Sequence, residues 1–299
     1  MLEVDDVTRT FRGSRGRTVH ALRGVRMSAA AGEVVGLLGL NGAGKTTLAK
    51  VIATLLLPTT GTVRVDGLDV VAQPRRARAA LSVVLGGDRG LYQRLDAREN
   101  IRFFATLSGV SRRDLAARCE EALEAVHLGH VANRAVQTYS RGMRQRLHLA
   151  IGLVARPRLL LLDEPTVGLD PIEAQSIRDT VAAMRRDGTC IVLTSHYLAD
   201  IEQLADRVVI LDEGRTLLDL PLPELIARAR AVARVTISGT DQDRRWTTEL
   251  HLPEWTPAAL HGLADQWPAG RITDVQVSHA RLEDVFRELT AARAERVAR

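Results

Sequence analysis

The sequence predicts an α/β fold built on a sheet with parallel strands, and three observations carry that prediction. Short apolar runs alternate with longer helical stretches along the first two thirds of the chain, the pattern of strand–helix–strand units. One such run, EVVGLLG (33–39), passes through glycines into a helical stretch, KTTLAKVIATLLL (45–57). Another, LLLLDE (159–164), ends in two adjacent carboxylates, and open α/β sheets take ligands outside the carboxyl ends of their strands.

The elements follow in order. Residues 33–39 read as a buried strand and 45–57 as a helix; TVRVDG (62–67) and LSVVLG (81–86) read as further strands. From Asp96 to about Val126 the apolar spacing is mostly helical. The buried strands return at 159–164, CIVLTS (190–195) and RVVILDEG (207–214), with helices between them. A helical insertion therefore separates two parts of one sheet. LPLPEL (220–225) is a proline-marked boundary. Beyond it stand alternating segments at 233–239 and 246–252, a helix at 257–265, a strand at 271–277 and a last helix from about Leu282. The expected organisation is a main domain over 1–220, with a helical subdomain at about 88–155, and a small α+β accessory domain over 221–299.

Composition narrows the class. Of 299 residues, 45% are hydrophobic and 26% charged, the balance of a globular chain that buries a core. Asp5, Asp6, Arg9 and Arg12 interrupt any apolar leader. No apolar stretch approaches the roughly 20 residues that cross a bilayer, so a membrane role needs another chain. Cys119 and Cys190 lie in no metal-like cluster and read as reduced packing residues. The net charge of +5 comes almost wholly from arginine, with clusters at Arg12, Arg15, Arg17 and at Arg75, Arg76, Arg78. Acidic residues are interspersed and aromatics total 3%, which favours solvated helix faces over a nucleic-acid surface.

GLNGAGKT (39–46) fits the phosphate-loop pattern G-x-x-x-x-G-K-[ST], between a strand and a helix as the motif requires. Gly39, Gly42 and Gly44 let the backbone turn tightly, and the loop N–H groups of Leu40, Asn41 and Ala43 among them can then aim at phosphate oxygens. Lys45 is placed to reach the β- and γ-phosphates, and the Thr46 hydroxyl to ligate Mg²⁺. Lys45 and Lys50 are the only lysines in an arginine-based chain. A compact ammonium fits a narrow phosphate nest better than a planar guanidinium. Asp163 ends its strand at the ligand edge and is read as a second Mg²⁺ ligand, direct or through water. Glu164 beside it is read as the group that orients or deprotonates the attacking water. His196, after the next apolar strand, is read as a donor to the γ-phosphate.

A second anion cradle stands about a hundred residues downstream. YSRGMRQRLHLA (139–150) places a serine and a glycine ahead of a basic amphipathic run, a helix start with unpaired N–H groups. Ser140 also suits a plain helix N-cap, and the two roles are compatible.

The ordered set GLNGAGKTT (39–47), YSRGMRQRL (139–147), LLLLDEPTVGLDP (159–171) and TSH (194–196) resembles the ATP-binding subunit of an ABC transporter over about residues 1–220. The resemblance implies a P-loop NTPase core of the ABC type, with ATP held by residues 39–47, Thr47 included, and Phe11 stacked on adenine. It implies two copies packed head to tail, the signature of each closing over the other's ATP through Ser140 and the Gly142 N–H, with Asp170 in the loop joining the two sites. It further implies a separate membrane permease, a place at the cytoplasmic face of the membrane, and no nucleic-acid partner. In the common signature, LSGGQ, a glycine and a glutamine stand where this chain has Arg141 and Met143. That variant, GGDRGLYQRLDAREN (86–100) and RLEDVFRELT (281–290) resemble the daunorubicin-resistance, drug-exporter branch. Gly86 stands where the family has a Mg²⁺-sensing glutamine, and Asp88 or a water is the replacement the branch implies. The stretch 91–104 is the expected permease contact. For the tail, the alternatives are a regulatory or dimer-contact module and a ligand pocket lined by Trp246, Trp255 and Trp267; small-core packing is favoured for the tryptophans.

Overall fold

A computed structural model describes residues 1–12, 18–85, 90–195, 197–228, 233–241, 244–252, 271–279 and 281–287. The chain divides into two compact units, Met1–Leu220 and Pro221–Arg299.

The first unit holds two sheets. Strands β3 (Val34–Gly39), β6 (Leu81–Leu85), β7 (Leu159–Asp163), β8 (Cys190–Thr194), β9 (Arg207–Asp212) and β10 (Arg215–Pro221) form a six-stranded sheet in the order β10-β9-β3-β8-β7-β6. The pairs β9–β3, β3–β8, β8–β7 and β7–β6 are parallel. β3, β7 and β8 are buried along nearly their whole length, as strands covered on both faces must be. A second, antiparallel sheet is formed by β1 (Leu2–Arg12), β2 (Thr18–Ala29), β4 (Thr60–Val65) and β5 (Leu68–Asp69) in the order β2-β1-β4-β5. The sequence reading did not anticipate β1 and β2. Leu2, Val4 and Val7 of β1 are buried, but shifts in register between Val4 and Val7 and again before Thr8 break a strict period of two.

Helix α1 (Lys45–Ile52) buries Leu48, Val51 and Ile52 in a core cluster that draws on both sheets. It is five residues shorter than the apolar run 45–57 led one to expect. Thr54 takes φ 62°, and the N–H groups of Leu55 and Leu56 turn back to the Lys50 carbonyl. This satisfies the helix end and leaves Leu55 and Leu57 exposed. Helix α2 (Pro74–Ala80) precedes β6.

Between β6 and β7 come α3 (Ala97–Leu107), α4 (Leu115–Ala125) and α5 (Arg141–Leu153). Asp96 and Glu99 close a capping box at the start of α3: Glu99 N–H donates to the Asp96 carboxylate and Asp96 N–H to the Glu99 carboxylate. Fully buried Asn100 pins the preceding loop by bonding both the N–H and the carbonyl of Tyr92. Helix α6 (Pro171–Arg186) links β7 to β8, and α7 (Leu198–Leu204) links β8 to β9.

In the second unit, α8 (Leu222–Ile226) precedes an antiparallel sheet of β11 (Ala233–Asp241), β12 (Arg244–Leu252) and β13 (Arg271–His279) in the order β12-β11-β13. Residues 282–287 are helical. The Trp246 ring lies across Gly239, its cross-strand partner, where a Cβ would come within 2.3 Å of it. The expected helix at 257–265, with Trp255 and Trp267, lies outside the described residues.

Candidate nucleotide site

The phosphate loop leaves β3 at the carboxyl edge of the parallel sheet. Gly44 sits at φ 106°, where a side chain would also strike the Ala21 carbonyl at 2.7 Å. A glycine is therefore required to bring the loop against β2. No side chain caps α1, so its first-turn N–H groups and the positive end of its dipole are left for an anion. The Lys45 ammonium donates to the Gly39 carbonyl at 2.5 Å and to the Leu40 carbonyl at 3.4 Å. Partial burial pulls the Lys45 pKa below its ordinary value, and the charges of Glu164 and Asp163 oppose that shift. Lys45 from the loop and the carboxylates from β7 thus share one electrostatic site.

Asp163 ends β7, and Thr194 ends β8 beside it. The Thr194 hydroxyl donates to the Asp163 carboxylate, and the Glu164 N–H donates to the Thr194 carbonyl at 3.0 Å. Glu164 takes φ 53°, a left-handed conformation costing a non-glycine residue roughly 1–2 kcal/mol. The surrounding hydrogen bonds hold the chain there. Thr46 and Asp163 line the same small cavity, with Thr194 in its wall. Among the described residues no three His, Cys, Asp or Glu side chains converge as a metal cage. One hydroxyl and one carboxylate suit Mg²⁺, which keeps waters and phosphate oxygens for its other positions.

Phe11 is 37% exposed, so it is no core aromatic. It pairs across strands with Val19, two residues from Ala21, the residue against which the phosphate loop rests. The Arg9 guanidinium stacks on its ring at 4.7 Å. His196, Gly86 and Asp88 lie outside the described residues.

Ser140 and Gly142 are placed elsewhere. Their helix, α5, packs on α3, α4, α6 and β6, whereas α1 packs on β2, β3 and β4. Ser140 is the N-cap, accepting from the Met143 N–H at 3.1 Å. Its hydroxyl also donates to the Glu173 carboxylate at 3.1 Å. A Cβ on Gly142 would lie 2.1 Å from the Glu173 carboxyl carbon, so the glycine makes room for that carboxylate. Asp170 caps α6, accepting from the N–H groups of Ile172 and Glu173 at 2.9 Å each. Next to it, Ile172 is 84% exposed. The Arg141 guanidinium lies against Gly168, so the starts of α5 and α6 are laced together.

The family model for ABC transporters matches residues 22–167. The chain is 37% identical to the ABC transporter ATP-binding protein NatA of Bacillus subtilis, over 73% of this chain and 88% of that protein. The chain belongs to the ATP-binding subunits of ABC transporters. As one of these it is an ATPase. The daunorubicin/doxorubicin resistance ATP-binding protein DrrA of Streptomyces peucetius is 38% identical over 94% of this chain and 86% of its own length. The likeness to the drug-exporter branch therefore extends through most of the ATPase's second unit. The dimeric, post-hydrolysis structure of the ATP-binding cassette MJ0796 with ADP and Pi matches with a TM-score of 0.66 at 25% identity, over 74% of this chain and 99% of that one.

Sequence reasoning missed three residues that shape the site. Thr194 lies within the quoted TSH segment but read only as strand. Glu173 and Asp200 look like ordinary acidic residues in the first turns of α6 and α7, and no local pattern marks them out. Burial raises the Cys190 thiol to about 12, which removes it as a nucleophile.

Proposed function

We propose that the subunit binds Mg²⁺ and ATP between its own phosphate loop and the signature of a second copy, and powers export of a drug-like molecule through a separate membrane permease. The observation that carries this reading is the separation of two anion cradles within one chain. Residues 39–47 with Asp163 and Glu164 make one; Ser140 and Gly142, on a helix packed against other elements, make the second. Phe11 stacks on adenine, Thr46 and Asp163 hold the metal, and Asp170 with exposed Ile172 lies in the interface between copies. Bound there, Mg²⁺ would supply charge neutralisation at the phosphates. Glu164 accepts the proton of the attacking water or aligns it, and Lys45 binds the γ-phosphate. His196 is assigned as a further donor to that phosphate. No helix among the described residues is long and apolar enough to cross a membrane, so transport needs the permease. The partly exposed, edge-to-face cluster of Tyr92, Phe103 and Phe104 supports the stretch 91–104 as its landing surface at the cytoplasmic face. The length over which DrrA aligns supports the drug-exporter reading.

The decisive experiment mixes two defective chains. Ser140→Arg is expected to retain ATP binding and lose hydrolysis, with a cap cost of about 1 kcal/mol. Glu164→Gln carries an intact signature. If sites form across the interface, the mixture regains hydrolysis that neither chain has alone; an inactive mixture would refute sharing.

Glu173 adds a second expectation. Its carboxylate accepts from the Ser140 hydroxyl and lies against Gly142, where the partner's γ-phosphate would dock, so the two anions compete. Glu173→Gln in a Glu164→Gln background should form the ATP-dependent dimer at lower protein concentration, read by light scattering. A higher concentration requirement would mean that the carboxylate assists docking instead.

A further inference from the structure

Asp200 lies in the first turn of α7 and is 2% exposed. A charge so buried is costly unless every oxygen is engaged. Here three side chains engage it. The Arg178 guanidinium of α6 donates to one oxygen at 2.8 Å; the Thr166 hydroxyl donates to the other, joined by the Ser195 hydroxyl at 3.3 Å. Arg178 is itself only 14% exposed at its side chain and is held from behind by the Gln175 side-chain carbonyl.

The origin of these partners gives the network its meaning. Thr166 is two residues past Glu164, in the turn where the Val167 N–H reaches the Glu164 carbonyl and the Leu169 N–H reaches the Thr166 carbonyl. Ser195 directly follows Thr194, which bonds both the Asp163 carboxylate and the Glu164 N–H. The Ser195 hydroxyl also accepts from the Tyr197 N–H at 3.0 Å. Asp200 thus ties together the two chain segments that leave β7 and β8, and Glu164 hangs between them in its left-handed conformation. A backbone held against its preference needs such restraint from both sides. Arg178 couples the same carboxylate to α6, which Asp170 caps and whose first turn holds Glu173.

We infer that Asp200 is a positioning residue for ATP hydrolysis: with Thr166, Ser195 and Arg178 it fixes the turn that aims Glu164 at the water, without contacting nucleotide. This rests on the role assigned to Glu164, whose own test is the Glu164→Gln variant; retained turnover there would remove that role before Asp200 is considered. Given loss of turnover in that variant, steady-state ATP hydrolysis is measured for Asp200→Asn, Thr166→Val and Thr166→Ser, with ATP affinity and melting temperature recorded alongside. Asp200→Asn and Thr166→Val are expected to lower kcat by about 10- to 100-fold, leaving KM and ATP affinity within twofold. Thr166→Ser, which keeps the hydroxyl, is expected to restore kcat to near the parent value. Because Asp200→Asn leaves Arg178 without its charge partner and can fail to fold, the Thr166 pair alone decides in that event. Equal kcat in Thr166→Val and Thr166→Ser, or a fall in ATP affinity parallel to kcat, would overturn the inference.

Discussion

Glu164→Gln is expected to bind ATP as the parent does, to hydrolyse it at least about 100-fold more slowly, and to accumulate as an ATP-dependent dimer. The amide is nearly the same size as the carboxylate but takes up no proton, so the water loses its base while the site keeps its shape. The backbone supports this separation of effects. Glu164 is held through its own N–H on the Thr194 carbonyl, a bond the substitution leaves intact. The neighbouring Asp163, with its Thr194 hydroxyl bond, is likewise undisturbed. On the proposed reading, in which the γ-phosphate bridges two copies, hydrolysis removes that bridge, so blocking it is expected to hold the copies together. Phosphate release and light scattering on one sample check both halves of the expectation. Full turnover would remove Glu164 from the chemistry.

Lys45→Ala is expected to act at the earlier step and weaken ATP binding by about 10- to 100-fold, as loss of a charge-assisted hydrogen bond worth about 1.5–3 kcal/mol implies. The ammonium is half-buried between the loop carbonyls of Gly39 and Leu40 and faces the charges of Asp163 and Glu164. Removing it takes away a positive charge that faces two carboxylates, which penalises an incoming polyanion further. Equilibrium binding of a fluorescent ATP analogue measures the loss. An unchanged affinity would contradict the phosphate-loop assignment.

The two predictions differ in how readily the sequence announced them. Lys45 belongs to a pattern of eight consecutive residues in which each glycine, the lysine and the threonine has a local reason to be there. Gly44 shows why such a pattern is legible: its φ of 106° and its approach to Ala21 permit no side chain. Glu164 was legible as a carboxylate after an apolar strand, yet its left-handed backbone and the Thr194 bonds that hold it were not. The helix over 45–57 was overread because Leu55, Leu56 and Leu57 continue its apolar character, whereas the chain turns at Thr54 and exposes two of them. The antiparallel sheet of β1 and β2 was missed because bulges break its alternation.

What the sequence by itself determined is local geometry within reach of a few residues: the glycine turn from β3 into α1, the adjacent carboxylates where β7 ends and the capped start of α5. These depend on local backbone geometry, which neighbouring residues dictate. Tertiary structure alone decided that Glu173, 33 residues from Ser140, would cover the signature, and that Asp200, 34 residues from Thr166, would be buried as the hub behind Glu164. What a carboxylate touches depends on the groups packed around it, and those come from distant parts of the chain.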